Sequence, residues 1–232
     1  MPLPLPPVAS VRDFYAFEGH VRTMWERRGG TVPEAWYRLP IFYFSNVSEI
    51  RGPGEPVWCP AASQELDYEL EVAALIDTPA RDLPADRGEE AIGGYTILND
   101  WSARDVQRQE MSVGLGPAKA KDFASSLGPY LVTLDELEDR FANDRHDLWM
   151  AARIDGEEVS RGNLKDLYWS FPQMVARASE GVDLEPGDLI GSGTVGTGCI
   201  LELGPEVVPW LEPGNEVELE VERLGRLRTM IV

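Results

Sequence analysis

The sequence predicts an α+β fold built on mixed or antiparallel sheets. Short β-type runs outnumber helical ones across the 232 residues. Most of their connections read as hairpins or loops, not as the regular helical crossovers of a doubly wound parallel sheet. No shift in composition marks a linker. Residues 11–232 therefore read as one domain behind a Pro-rich N-terminal arm, residues 1–10.

The elements follow in order. Phe14, Phe17, Val21, Met24 and Trp25 recur at helical spacing, which predicts a helix over 11–29 that Gly29-Gly30 stops. Residues 36–47, rich in Tyr, Phe and Ile, predict a strand broken at Pro40. Arg51-Gly52-Pro53-Gly54 is a turn. Residues 68–76 are a strand, and 85–93 a short helix leading into a buried strand from Gly94 to Leu98. Trp101 to Glu110 is polar and helical, and the Gly/Pro stretch 112–118 is a loop suited to a lid. Residues 129–133 form a strand. Asp155-Gly156 closes a hairpin between 148–154 and 157–160. A helix over 163–180, ending at Gly181, contains Pro172. A turn over 184–188 precedes the strand Leu189-Ile190, and 216–222 with 226–231 form a last hairpin.

Composition narrows the function. Net charge is -19 and the pI about 4.4, a field that repels nucleic acid and anionic membranes. No apolar run approaches the roughly 20 residues that span a bilayer. Met1 to Ser10 has neither a basic nor an apolar signal region. Cys59 and Cys199 lack metal or redox spacing and read as reduced thiols of a cytoplasmic protein.

Glu69 and Glu71 carry the chemistry. Two residues apart on a strand, they point to one face, next to the apolar run Val72 to Ile76. Two readings stand: a solvated strand face, or a pair of carboxylates whose repulsion a hard divalent cation relieves. Asp100 closes the next buried strand, as a third ligand or as a helix N-cap. Asp13 and His20 stand seven residues apart, on one face of the predicted first helix. The only other histidine, His146, sits in a charged loop and reads as solvated. Lys119 and Lys121 read as solvated loop lysines. Ser192 to Gly198 is glycine-rich and suited to cradle an anion, though its spacing is not that of a nucleotide loop.

Taken together these segments resemble the fumarylacetoacetate hydrolase family, from about Asp13 to Leu203. The segments are Asp67-Tyr68-Glu69-Leu70-Glu71, Gly94 through Gln107, Ala120-Lys121-Asp122-Phe123, and Leu184 through Thr194. Asp13-Phe14-Tyr15 with His20, the Tyr43 segment and Ile200-Leu201-Glu202-Leu203 add to the resemblance. The resemblance implies the family's strand-rich fold of mixed sheets, a β-roll or sandwich with a few flanking helices. It implies that Asp13, Glu69, Glu71 and Asp100 bind Mg2+ or Ca2+, with Mn2+ an alternative. It implies that His20 and Glu202 form a base pair acting with Lys121. It assigns Tyr15, Arg28, Tyr43, Arg104, Gln107 and Thr194 to a small anionic diketone-acid substrate.

The implied reaction is hydrolysis of a carbon–carbon bond, carried out by a homodimer. A 2-oxoacid decarboxylase, hydratase or isomerase on the same fold is the alternative enzyme, and an inactive metal-binding scaffold the alternative to an enzyme. The chain departs from the family's fumarylacetoacetate-cleaving pattern in three ways. A larger N-terminal barrel domain is absent, the Met111–Gly116 loop is one residue longer, and Asp122 follows Lys121.

Overall fold

The structure, a computed structural model, describes residues 6–232; the first half of the proline-rich arm lies outside the described residues. The first half of the chain supplies β1 (Ser10–Phe14), α1 (Glu18–Arg27), β2 (Phe42–Ser45), β3 (Ile50–Arg51), β4 (Leu66–Asp67) and β5 (Leu70–Ile76). Then come β6 (Ile92–Asp100), β7 (Ser102–Ala103), α2 (Arg104–Met111) and β8 (Ser125–Val132). The second half supplies β9 (Phe141–Ala142), β10 (Arg145–His146), β11 (Trp149–Ile154), β12 (Glu157–Asn163) and α3 (Phe171–Ser179). It ends with β13 (Asp188–Gly191), α4 (Ile200–Leu203), β14 (Glu216–Val221) and β15 (Gly225–Met230).

The main sheet has seven strands in the order β2-β1-β13-β5-β6-β8-β3. Two of its pairings, β1 with β13 and β3 with β8, are parallel, and the others are antiparallel. An antiparallel sheet of four, β12-β11-β14-β15, packs against it. This is the mixed, strand-rich α+β architecture that the sequence predicts.

The alternation of side chains explains where the site lies. On β5, Leu70, Val72, Ala74 and Ile76 face the large core shared with the four-stranded sheet. Ala73 and Leu75 face the other way, and with Val11, Leu98, Leu127 and Leu189 form a second, smaller core. By the same period of two, Glu71 lies on the face of Ala73, Asp100 on that of Leu98, and Asp13 on that of Val11. The second core thus ends in three carboxylates, from β1, β5 and β6, with β13 between the first two. Gly191 on β13 leaves them room, since a Cβ there would sit 2.3 Å from Asp13 Oδ1.

Two of the expected helices need correction. The helix over 11–29 is a strand followed by a helix. Asp13 belongs to β1, which lies between β2 and β13, and α1 begins only at Glu18. Pairing on both edges outweighs a helical spacing that begins with the β-formers Val11, Phe14 and Tyr15. The long helix over 163–180 shortens to α3. Its Pro172 stands in the first turn, where a missing N–H costs nothing, and Ser170 with Gln173 forms a capping box.

His146 is the second kind of correction. It is buried, 3% exposed, with the Tyr95 and Phe141 rings each 4.8 Å away. Burial lowers its pKa to about 4. The unfolded chain takes up this proton near pH 6.5 and the folded one does not, so the stability is present above pH 6.5 and lost as pH falls toward 4. Between pH 7 and pH 5 the loss amounts to roughly 2 kcal/mol. His146→Phe is expected to remove that part of the slope. Urea midpoints at the two pH values check it, and a variant as acid-sensitive as the parent contradicts it.

Candidate active site

Glu69, just before β5, and Glu71, within it, are 5% and 0% exposed. Neither carboxylate therefore faces bulk water, and the solvated strand face is excluded. Oxygens of Asp13, Glu69 and Asp100 lie within 4.8 Å of one another. Asp100 ends β6 and is not a helix cap, because α2 starts four residues later. Lys121 is 4% exposed; its Nζ donates to Glu69 Oε2 at 2.6 Å and also to Asp100 Oδ2. The reading of Lys121 as a solvated loop lysine therefore does not hold. The Tyr43 hydroxyl donates to Asp13 Oδ2 at 3.0 Å and contacts Asp100 as well. The Gly193 N–H donates to Asp13 Oδ1 at 3.2 Å, so the glycine-rich turn after β13 holds a carboxylate of the chain itself.

Arg104, at the start of α2, is 3% exposed. Its Nε donates to Asp67 Oδ2 at 2.7 Å and Nη1 to Gln107 Oε1 at 3.0 Å. Nη2 lies 2.8 Å from Glu69 Oε1, close enough to pair charges without being aligned as a hydrogen bond.

Charge in the cluster is unbalanced. Burial and the Asp100 carboxylate raise the Asp13 pKa to about 7. Burial, with Asp13 next to it, pushes Glu71 well above its usual range. Glu69 goes the other way: burial opposes ionisation, but Lys121 and Arg104 outweigh it and hold the carboxyl below its ordinary value. No N–H or O–H donor reaches Glu71 Oε2 or Asp100 Oδ1 among the described residues. Unpaired buried carboxylate oxygens are costly, and a shared proton or a bound cation relieves them. The all-oxygen donor set of Asp13, Glu69, Glu71 and Asp100 fits a hard divalent cation.

Cation binding is therefore expected to compete with protons. Asp13 must lose its proton, so affinity should fall by about tenfold per pH unit below pH 7 for each proton released. Mn2+ calorimetry at pH 8, 7 and 6 checks this, and a flat affinity contradicts it.

His20, on α1, lies on the same cavity. Its Nδ1 is 2.6 Å from Glu202 Oε2, and both side chains are buried. A carboxylate partner calls for a proton on Nδ1, which leaves the Nε2 lone pair as the base. Arg27 Nη2 donates to the Glu202 carbonyl at 2.9 Å and ties α1 to α4. The Tyr15 ring stands edge-on to the imidazole, with centroids 5.6 Å apart.

The cavity measures about 580 Å³, the size of an ordinary small-molecule site. His20, Asp13, Glu69, Glu71, Lys121, Arg104 and Thr194 form its charged and polar wall. Trp25, Trp36, Leu39, Ile41 and Met111 make it apolar on the other side. Tyr15, Tyr43, Gln107 and the exposed Arg28 also line it. Leu115, Gly116 and Pro117 bring the predicted loop to its edge. Every residue that the resemblance singled out is thus at this cavity or one side chain behind it. The sequence assigned no role to Asp67, which is fully buried behind Glu69. Its signal was a third acid at the same spacing of two.

The fold and this carboxylate-lined cavity define a class, and the chain belongs to it: the fumarylacetoacetate hydrolase family. The family profile described as fumarylacetoacetate (FAA) hydrolase C-terminal matches residues 9–232. The chain is 32% identical over 249 residues to fumarylacetoacetase of Arabidopsis thaliana, covering 84% of this chain and 58% of that protein. It is 34% identical over 194 residues to a mitochondrial oxaloacetate tautomerase of Homo sapiens, covering 83% and 59%. The chain thus spans less than two thirds of the length of these relatives. Among solved structures, fumarylpyruvate hydrolase of Pseudomonas aeruginosa in complex with Mn2+ and pyruvate superposes with a TM-score of 0.79 at 24% identity. That superposition covers 100% of this chain and 95% of that one. The family contains hydrolases and tautomerases on one fold.

Proposed function

We propose that this chain is a divalent-metal-dependent hydrolase that cleaves a carbon–carbon bond in a 1,3-diketone acid of fumarylacetoacetate or acylpyruvate type. One observation carries the reading: the His20–Glu202 pair, 2.6 Å apart, lies on the same cavity as the carboxylate cluster. A base held by a carboxylate is suited to draw a proton from water as it attacks a ketone. A divalent cation held by Asp13, Glu69, Glu71 and Asp100 would supply Lewis-acid charge to the diketone oxygens.

The chain's own residues do the rest. His20 Nε2 takes one proton from water, and the hydroxide oxygen bonds to the ketone carbon. Glu202 steadies the imidazolium. The carbon–carbon bond breaks, its electron pair moves into an enolate, and a proton on that carbon completes the ketone product. Lys121 is held cationic, because the Asp100 and Glu69 carboxylates outweigh the effect of burial and raise its pKa, so its N–H groups are suited to the developing enolate oxygen. Arg28, Gln107, Tyr15, Tyr43 and Thr194 offer the charge and donors to orient an anionic substrate. The apolar wall and the Met111–Gly116 loop limit water to the attacking molecule. The exposed Leu39, Ile41 and Phe44 around edge strand β2 favour pairing of two copies of the chain.

Incubation with Mg2+ or Mn2+ and an acylpyruvate, followed by loss of diketone absorbance, tests the proposal; the expected products are one acid and one ketone. A second reading, an oxaloacetate tautomerase or decarboxylase, is favoured by the 34% identity to the human tautomerase. Ketonisation or carbon dioxide release from oxaloacetate, with acylpyruvates left intact, would decide for it.

A further inference from the structure

We infer that Asp67 is a positioning residue that couples the carboxylate cluster to the His20–Glu202 pair. The inference rests on the roles proposed for Glu69 and Glu202 and adds what sets their geometry. Asp67 is 0% exposed and its carboxylate accepts from two directions. On one side Arg104 Nε donates to Oδ2 at 2.7 Å, and the same guanidinium lies 2.8 Å from Glu69 Oε1. On the other side the Ile200 N–H donates to Oδ1 at 2.7 Å and the Leu201 N–H to Oδ2 at 3.0 Å. These are the first two residues of α4, and the next residue is Glu202.

One buried carboxylate thus holds both the cation that faces Glu69 and the backbone that aims Glu202 at His20. Both Asp67 oxygens are occupied as acceptors, and Oδ2 accepts twice.

Asparagine cannot reproduce this. With its oxygen toward Ile200, its NH2 opposes Leu201 and Arg104; flipped, it opposes Ile200. In either orientation at least one buried N–H loses its acceptor. Arg104, freed from Asp67, pairs more fully with Glu69 and competes with a bound cation. The partner behind a ligand typically contributes about ten- to a hundredfold in affinity.

The chain has two histidines, so imidazole nitrogen NMR reads His20 directly, with His146→Phe assigning the other signal. The experiment compares the full chain with Asp67→Asn by Mn2+ calorimetry and by the His20 nitrogen spectrum. The coupling predicts that both move: Mn2+ affinity falls about tenfold or more, and the Nδ1-protonated tautomer gives way to a mixture. Glu202→Gln should alter the His20 spectrum alone. A folded Asp67→Asn protein with either readout unchanged overturns the coupling. Should that variant not fold, Arg104→Lys removes the Nε–Asp67 bond at constant charge. A shifted His20 spectrum then supports the coupling and an unmoved one overturns it. A wild-type chain that binds no Mn2+ would defeat the metal reading of the site, while the His20 spectrum of Arg104→Lys would still decide the coupling.

Discussion

His20→Ala is expected to abolish diketone hydrolysis while leaving cation binding intact. General-base contributions run to about a hundred- to ten-thousandfold, and here the base also aligns the attacking water. The side chain lies on the cavity wall, and its hydrogen bond goes to Glu202, not to the carboxylate cluster. Removing it therefore subtracts a proton acceptor and no proposed ligand. kcat measured at saturating metal, alongside a calorimetric Mn2+ titration, separates the two roles. Full activity in the variant would rule out His20 as the base. Loss of metal binding would mean that the imidazole belongs to the cation site.

The second large effect has opposite signs in two conditions. Glu71→Gln should stabilise the metal-free protein and erase its stabilisation by metal. Glu71 is 0% exposed, no donor reaches its Oε2 among the described residues, and Asp13 lies next to it. An amide there is neutral without taking up a proton on folding and keeps a donor for Asp13. The expected gain is about 1–3 kcal/mol, the usual cost of a buried polar group left unpaired. The same change deletes a proposed ligand charge, so the rise in Tm on adding Mg2+ or Mn2+ should vanish. Thermal scans with chelator and with excess cation check both halves. A variant that gains as much from the cation as the parent does would exclude Glu71 from the ligand set.

Much of this site was legible in the chain before it folded. The period of two through Glu69-Leu70-Glu71, the strand end at Asn99-Asp100 and the run from Gly94 to Gln107 marked the carboxylates. Strands β11 and β12 were readable because Asp155-Gly156 dictates a tight turn, and such a turn is a local property. The helix assigned over 11–29 failed for the opposite reason. Whether Val11 to Phe14 is strand or helix depends on β2 and β13, about 30 and 180 residues away in sequence, and no local propensity reports that partnership. His146 failed likewise: its neighbours in sequence are charged, but its neighbours in space are the Tyr95 and Phe141 rings.

By itself the sequence determined which groups exist to do chemistry: an excess of acids, two histidines, and carboxylates spaced to share a strand face. Only the tertiary structure decided that Asp13 from β1 meets Glu71 and Asp100 from β5 and β6 across the intervening β13, and that Glu202 reaches back across 182 residues to His20. The physical reason is that side-chain alternation is set within a strand, whereas the order of strands is set by burying two apolar faces at once. Convergence of the charges follows from the second and cannot be read from the first.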